Sequence, residues 1–197
     1  MFTGIIQNLG KAINFSNGEL EVTTPLDLSD CNNGSSICCN GVCLTITEIE
    51  FKNNVHYFKA TVGEETQNRT TFSNNLFNEL TSINLEKSLK IGDEISGHFV
   101  YGHVDLKTKI IEIKKLENSW EYKFEKNFKN KSFYIVEKAS IAINGISLTI
   151  ANVDNDNFTI SVIPHTFFNT NLQYSKINEF VNVEFDYLSR FLFKKND

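Results

Sequence analysis

The sequence contains one segment twice, and this duplication constrains the fold more than any other feature. GSSICCNGVCLTIT spans residues 34–47, and KASIAINGISLTIA spans residues 138–151. The two copies share Ser-Ile, Asn-Gly and Leu-Thr-Ile at equivalent places. They lie roughly 100 residues apart, whereas solenoid repeats have periods of roughly 20–50 residues. The duplication therefore predicts two similar domains.

Length and composition are consistent with two small domains. The chain has 197 residues, of which 41% are hydrophobic and 22% are charged, and this composition is ordinary for a protein that forms hydrophobic cores. We place the first domain at residues 1–97, the second at residues 98–187 and a tail at residues 188–197.

The charge distribution argues against several classes of partner. The formal net charge is -5 and no basic stripe is present, so we expect no nucleic-acid partner. No apolar run approaches the roughly 20 residues that span a bilayer, and the start lacks the basic-then-apolar order of a signal peptide. We therefore expect no membrane association and a cytoplasmic location.

Short strand patterns alternate with turn residues along most of the chain. Asn17-Gly18 separates two strand-like runs, and Asn40-Gly41 and Asn53-Asn54 interrupt later ones; Asn-Gly in such a place is a strong hairpin signal. Residues 66–75 predict a short helix or a turn. Residues 101–104 of the second repeat correspond to residues 3–6 of the first. The pattern predicts an all-β fold of two tandem antiparallel β-barrels, joined near residues 92–97.

The tail LSRFLF has no counterpart in the first repeat. Leu188, Phe191 and Leu192 have helical spacing, so a short amphipathic helix is expected, and exposed apolar residues on it would indicate an oligomer contact. The alternative is that the tail packs on its own barrel.

The cysteines do not have the spacing of a metal site. There is no paired CxxC pattern and no histidine cluster beside them, so we expect no zinc site. Cys43 stands where the second repeat has Ser147. A thiol can form a thiolate that attacks an electron-poor carbon or moves a proton. The alternative role for Cys43 is that of a small buried residue. The four cysteines are Cys31, Cys38, Cys39 and Cys43.

Five segments together resemble the riboflavin synthase family, alpha-chain type. They are MFTGII, NGVCLTIT, SGHFVYGHVD, YIVEKASIAINGISLTI and VNVEFDYLSR, and they cover almost the whole chain in order. The resemblance implies two Greek-key barrels related by duplication, a C-terminal helix and a homotrimer. It also implies a transferase without cofactor or metal. The reaction transfers four carbons between two molecules of 6,7-dimethyl-8-ribityllumazine, giving riboflavin and 5-amino-6-ribitylaminouracil.

A reaction between two copies of one molecule explains why a duplicated domain is useful. It needs two sites of similar shape, and holding both reactants in an oriented pair can lower the barrier by up to about 7–11 kcal/mol. Donor and acceptor must nevertheless behave differently. Cys43 against Ser147, and Ile5 against His103, are the differences that could separate the two roles.

The resemblance also implies roles for individual residues. His103 is the expected proton carrier near neutral pH and His98 a structural residue, although strand parity alone does not decide between them because Gly102 could bulge the strand. Phe2 would cover the heterocycle at the mouth of the first site. The full set of implied catalytic residues is Cys43, His103, Ser36, Ser147, Asp186 and Phe2.

The implied substrate contacts lie between the repeated segments of each barrel, where Thr66, Thr166 and Lys138 would hold the ribityl chain. In the first barrel they are Gly4, Ile5, Ile6, Leu44, Thr45, Thr61, Val62, Gly63, Glu64, Glu65 and Thr66. In the second barrel they are Gly102, Val104, Lys138, Asn144, Leu148, Thr149, Val162, Ile163, Pro164, His165, Thr166 and Phe167.

One alternative function stays open from the sequence, a non-catalytic lumazine- or flavin-binding antenna protein. Such a protein needs one intact pocket, whereas the second barrel here keeps Ser147, Thr149 and Thr166, which favours the enzyme. Tyr101 and Leu106 depart from the small residues usual in the family and could alter the second pocket. The sequence does not assign donor and acceptor barrels, and the resemblance favours a site between neighbouring subunits.

Overall fold

The structure is a computed structural model that describes residues 1–73, 82–128 and 134–192. Its first half is a closed barrel of six antiparallel strands in the order β1-β2-β5-β4-β3-β6. Three consecutive strands, β3 to β5, are followed by one that returns beside β3, which is a Greek key. The strands are β1 (Asn8–Ser16), β2 (Glu19–Thr24), β3 (Ser36–Cys39), β4 (Val42–Lys52), β5 (Val55–Thr61) and β6 (Ile83–Lys87).

The second half repeats this order as β7-β8-β11-β10-β9-β12, again closed into a barrel. The predicted fold class is confirmed. The strands are β7 (Leu106–Lys115), β8 (Trp120–Glu125), β9 (Ser140–Ile143), β10 (Ile146–Val153), β11 (Asn157–Val162) and β12 (Phe180–Phe185).

Short helices connect the strands at equivalent places in the two repeats. Helix α1 (Glu64–Arg69) follows β5, and α2 (Pro164–Phe168) follows β11, so the helix predicted within residues 66–75 begins two residues earlier. A 3-10 helix covers Asn171–Tyr174. Residues 74 and 75 of the predicted range lie outside the described residues.

Alternation along each strand decides which side chains enter the barrel. In β4, Val42, Leu44 and Ile46 are buried in the first core, whereas Cys43 is half-buried and Thr45 is exposed. Successive side chains of a strand point to opposite faces. Cys43 therefore lies on the outer face of its barrel, where a ligand can reach it.

The two barrels meet at their duplicated Asn-Gly turns. Gly41 and Gly145 have φ of +80° and +78°, and a Cβ atom added at Gly145 would lie 2.7 Å from the Gly41 nitrogen. Only glycine fits such a close contact of two backbones in this conformation. The repeated Asn-Gly pair is thus the packing point between the domains.

Buried asparagines surround that packing point in a pattern with approximate twofold symmetry. The Asn84 amide donates to the Asn144 carbonyl at 2.9 Å, and the Asn182 amide donates to the Asn40 carbonyl at 2.8 Å. Hydrogen-bonded side chains satisfy buried main-chain groups that would otherwise destabilise the interface. These bonds fix the two barrels relative to each other.

We predict that Gly145→Ala lowers the free energy of unfolding by about 2–5 kcal/mol. The alanine would have to adopt a left-handed backbone conformation, and its Cβ would also overlap with the Gly41 backbone. Gly34→Ala is the matched control. Gly34 has φ of +94° with nothing within 4 Å of its added Cβ, so strain alone applies there, at about 1–2 kcal/mol. Urea unfolding of both variants measures the difference. Equal losses would show that the glycine contact contributes no stability.

The chain ends in a short helix, α3 (Tyr187–Leu192), which confirms the expected helical tail. Leu188, Phe191 and Leu192 are exposed, whereas Ser189 is buried. One face of the helix therefore packs on its own barrel, and the other face is apolar and exposed. Residues 193–197 of the tail lie outside the described residues. Within the described part of the chain, no helix has the length and apolar character needed to cross a membrane.

Candidate functional site

Two equivalent segments, residues 2–6 and 98–104, cross between the barrels. Phe2 and Val100 pair as an antiparallel bridge, with N–H to carbonyl distances of 2.7 and 3.0 Å, and the His98 N–H donates to the Thr3 carbonyl at 3.1 Å. Ile6 packs against the core of the second barrel, and Val104 packs against the core of the first. Each repeat therefore places its leading segment on the other barrel.

On the first barrel this exchange brings His103 to the surface around Cys43. The Cys43 N–H donates to the Gly102 carbonyl at 2.9 Å, and a Cβ at Gly102 would lie only 2.5 Å from the Cys43 Cβ. A cavity of about 370 Å³ lies here. It is lined by Val42, Cys43, Glu65, Thr66, Arg69, Thr70, Gly102, His103, Val104, Asp105 and Arg190.

The second barrel has the equivalent main-chain geometry around Ser147. The Ser147 N–H donates to the Gly4 carbonyl at 2.8 Å, and a Cβ at Gly4 would lie 2.6 Å from the Ser147 Cβ. The segments are thus exchanged relative to the predicted grouping: Gly4 to Ile6 accompany Ser147, and Gly102 to Val104 accompany Cys43. Internal similarity identifies equivalent segments, but it does not say which barrel each one contacts.

Two buried carboxylates hold the crossing segments in place. Glu184 on β12 accepts hydrogen bonds from the N–H groups of Tyr101, Gly102 and His103 at 2.7–2.9 Å. Glu86 on β6 accepts from the N–H groups of Thr3 and Gly4 at 2.7 and 3.0 Å. Burial raises the pKa of both carboxyls, and the N–H bonds oppose that rise. Carboxylates that accept several N–H bonds fix main chain firmly.

Neither glutamate was predicted as a site residue. The sequence contains a signal, because each glutamate lies in a strand pattern and both occupy the same place in the repeat, two residues after Asn84 and Asn182. A charge at a buried strand position needs a dedicated partner. Arg69 and Arg190, which line the cavity, were also missed, since each is an isolated arginine on a short helix.

His98, for which the resemblance implies a structural role, contacts the candidate site on the second barrel. Its Nδ1 lies 2.6 Å from the Ser147 hydroxyl oxygen, so a histidine contacts the residue that replaces cysteine in the second repeat. Burial lowers the pKa of His98, and the Asp186 carboxylate opposes that effect. A neutral imidazole beside a hydroxyl can accept its proton or donate to it, depending on the tautomer.

We predict that Asp186→Asn lowers the pKa of His98 further. Removing the negative charge destabilises the imidazolium and leaves burial unopposed. Because the pKa of His98 is lower in the folded protein than in the unfolded chain, its neutral form contributes stability above the unfolded-state pKa. That contribution is lost as the pH falls below the unfolded-state pKa. Titration of the imidazole resonances by NMR measures the shift. An unchanged or raised pKa for His98 in this variant would contradict the electrostatic link.

Several predicted residues do line the cavity on the first barrel. Glu65 and Thr66 come from α1, beside Cys43, Gly102, His103 and Val104. The corresponding α2 residues of the second barrel, Pro164 and His165, are exposed, and Thr166 is half-buried. The Phe167 ring stacks on Trp120 with centroids 3.8 Å apart.

Other predicted residues lie elsewhere. The side chains of Leu44, Val62, Leu148 and Val162 are in the barrel cores, because each directly follows a strand residue that points outward. Any ligand contact there would involve main chain.

Phe2 and Asn144 are buried between the barrels. The Phe2 ring packs with Cys38, Val100 and Ala142, so in this structure it does not cover a pocket mouth, because its bridge to Val100 directs it inward. The Asn144 side chain accepts from the Asn182 N–H at 2.8 Å. The structure therefore gives Asn144 a role in the interface.

The remaining predicted residues lie outside both the cavity lining and the barrel cores. Ser36 pairs with Thr45 across β3 and β4, and Ser140 pairs with Thr149 across β9 and β10. Lys138 is exposed beside Glu137, and Asp186 accepts the Leu188 N–H at the start of α3. Also exposed are Ile5, Thr61, Gly63, Glu64, Thr149 and Ile163. Among the residues that the structure describes, no three metal-ligating side chains come together.

Comparison with known proteins gives a consistent result across the chain. The family model described as lumazine binding domain matches twice, at residues 3–88 and 101–186. Riboflavin synthase from Actinobacillus pleuropneumoniae is 40% identical over 99% of this chain and 91% of its own length. Riboflavin synthase from Chlamydia muridarum is 40% identical over 96% of this chain and 92% of its own.

Solved structures with the same fold carry bound ligands. A crystal structure of LumP complexed with riboflavin superimposes with a TM-score of 0.75 at 24% identity, covering 94% of this chain and 99% of LumP. LumP complexed with 6,7-dimethyl-8-(1'-D-ribityl) lumazine gives a TM-score of 0.74 at 23% identity, over 93% and 98% of the two chains. At this identity the likeness establishes the fold.

Proposed function

We propose that this chain, which belongs to the riboflavin synthase family and matches the lumazine binding domain twice, is an enzyme that converts two molecules of 6,7-dimethyl-8-ribityllumazine into riboflavin and 5-amino-6-ribitylaminouracil. One observation carries the proposal. Each barrel has the same main-chain frame, in which a glycine carbonyl accepts a hydrogen bond from the N–H of residue 43 or 147. The residue in the frame is cysteine in the first barrel and serine in the second. Similar frames suit two identical substrates, and different side chains suit their different roles.

The roles we assign follow from side-chain chemistry. Cys43 acts on the ring held at the first barrel, as a thiolate nucleophile or as a proton carrier. His103 takes the proton that must leave an acidic ring methyl group. Thr66 and Glu65, on the wall of the same cavity, hold hydroxyls of the ribityl chain by hydrogen bonds.

At the second barrel we assign Ser147 and His98 to the other lumazine. Their 2.6 Å contact allows the hydroxyl to donate to a ring nitrogen or carbonyl while the imidazole holds its orientation. Thr166, Lys138 and Thr149 surround the ribityl chain in this proposal, and Asp186 acts through His98. In this proposal either barrel can hold the donor lumazine, and the other barrel then holds the acceptor.

We further propose a cytoplasmic homotrimer in which two barrels of neighbouring subunits face each other. The exposed apolar face of α3, with Leu188, Phe191 and Leu192, supports assembly through this helix. All four cysteines are free thiols, as expected in a reducing compartment. Sedimentation velocity of the purified protein tests the trimer, and a monomer at micromolar concentration would contradict it.

The test of the activity uses purified protein and the lumazine alone. We expect two lumazines consumed for each riboflavin formed, without added metal or nucleotide, followed by the fluorescence of riboflavin and by chromatography of both products. No riboflavin under these conditions would refute the proposal. Tight copurification of one chromophore per chain without turnover would instead support a binding protein of the LumP kind.

A further inference from the structure

Helix α3 contacts the segment that carries His103, in addition to exposing an apolar face. The Tyr187 ring packs on the Tyr101 ring, with centroids 4.9 Å apart, and Tyr101 in turn stacks on His103 at 6.2 Å with an interplanar angle of 30°. Phe191 meets Tyr187 edge-on at 4.9 Å. A row of rings therefore runs from the helix to the imidazole, in an arrangement that favours aromatic pairs.

An ion pair ties the same helix to the other side of His103. An Arg190 guanidinium nitrogen lies 2.6 Å from an Asp105 carboxylate oxygen, and that oxygen also accepts the Phe185 N–H at 3.0 Å. The Asp105 side chain is only 10% exposed. Partly buried, charge-assisted hydrogen bonds of this kind are stronger and better defined than surface pairs.

His103 thus lies between two residues that α3 holds. Tyr101 precedes it by two residues and Asp105 follows it by two, while Glu184 holds the intervening main chain through three N–H bonds. The imidazole itself is exposed. An exposed side chain has several rotamers available, so its orientation depends on how firmly its neighbours are fixed.

We propose that α3 is a positioning element for His103, with Arg190 and Tyr187 as positioning residues. This inference rests on the proposed function, in which His103 moves a proton. Misplacement of a reacting group by about 1 Å can lower a rate on the order of a hundredfold. A helix that fixes both flanks of His103 protects the reaction against that loss.

The two faces of α3 make positioning separable from assembly. Tyr187 and Arg190 face the His103 segment, whereas Leu188 is 67% exposed. A helix used only for assembly would need no ion pair with Asp105. Tyr101 supplies the ring that Tyr187 contacts.

The experiment compares Arg190→Gln with Leu188→Ala as the matched control on the same helix. Imidazole resonances of the four histidines are recorded by two-dimensional NMR on ligand-free protein, and His103→Gln assigns the resonance of His103. We expect Arg190→Gln to shift and broaden the His103 resonance and to lower kcat by about tenfold or more, with a smaller change in KM. Leu188→Ala should leave that resonance unchanged in samples whose sedimentation matches that of the unaltered protein, because Tyr187 and Arg190 make the contacts with the His103 segment and Leu188 is exposed.

Two further variants keep the test decisive. Arg190→Lys retains a cation for Asp105 and should recover part of kcat. Asp105→Asn removes the same ion pair and should reproduce the effect of Arg190→Gln, so it replaces the glutamine variant if that variant folds poorly. The double variant should lose little kcat beyond either single variant. An unmoved His103 resonance in both single variants would overturn the inference, as would equal resonance shifts in Arg190→Gln and Leu188→Ala. If the unaltered protein makes no riboflavin, the proposed function fails, and the NMR comparison still decides the positioning.

Discussion

Replacing Cys43 with alanine is expected to lower turnover of the lumazine by about 100- to 10,000-fold, the range lost when a group that transfers protons in the transition state is removed. Lumazine affinity should change much less. The thiol lies on the wall of the cavity, whereas the main-chain frame around it depends on the Gly102 carbonyl and is unaffected by the substitution. Single-turnover kinetics and equilibrium titration of the lumazine absorbance measure the two quantities separately.

A second cysteine in the same barrel supplies the control for this result. Cys31 is half-buried and packs against the first core, but it does not line the cavity. Cys31→Ala should therefore retain turnover within about twofold, because it removes no group from the cavity wall. Equal losses of binding and turnover in Cys43→Ala, or no loss of either, would remove the chemical role of the thiol. Cys43→Ser, which copies the second repeat, shows whether a hydroxyl can replace it.

His103→Gln is expected to abolish or shift the acid limb of the pH–rate profile and to lower kcat by about 100-fold or more, because glutamine keeps hydrogen bonding but carries no titratable proton. Profiles of kcat and kcat/KM between pH 5 and 9 report the group in the complex and in the free enzyme. His56→Gln is the control, since the largely buried His56 imidazole lies 3.6 Å from an Asp27 carboxylate oxygen on the first barrel and does not line the cavity.

The outcome also decides between the two histidines of the crossing segment. An acid limb that persists in His103→Gln would transfer the proton-carrying role to another group. His98 is the first alternative, because it contacts the Ser147 hydroxyl and its burial keeps it neutral to lower pH. Loss of the limb in His98→Gln with retention in His103→Gln would reverse the assignment made here.

The barrels could be predicted because their determinants are local. Alternating side chains and Asn-Gly turns indicate strands and hairpins directly, and the turn at Asn17-Gly18 has the positive φ values that such hairpins need. The same alternation also contains information about the site. Leu44 follows an outward Cys43 in β4, so its side chain could have been assigned to the core from the sequence alone.

The exchange of segments between barrels could not be predicted, because it depends on contacts between residues far apart in the chain. Gly4 and Gly102 occupy equivalent places in the repeats, and either barrel could have received either segment. The inward direction of Phe2 follows from its bridge to Val100, a pairing with no local signal. The role of Asn144 between the barrels has the same origin, since its partners Asn84 and Asn182 lie on the last strands of both barrels.

The exchanged segments have a consequence for how such a chain could arise. A single repeat, comparable to residues 1–97, would have its Gly4 segment but no second barrel to receive it, so two copies would have to associate with twofold symmetry to complete both frames. Symmetry would then force the same side chain into each frame. Joining the copies in one chain removes that constraint, and a mutation at one frame no longer alters the other. Only a chain in which the two copies are fused can carry cysteine at position 43 and serine at position 147.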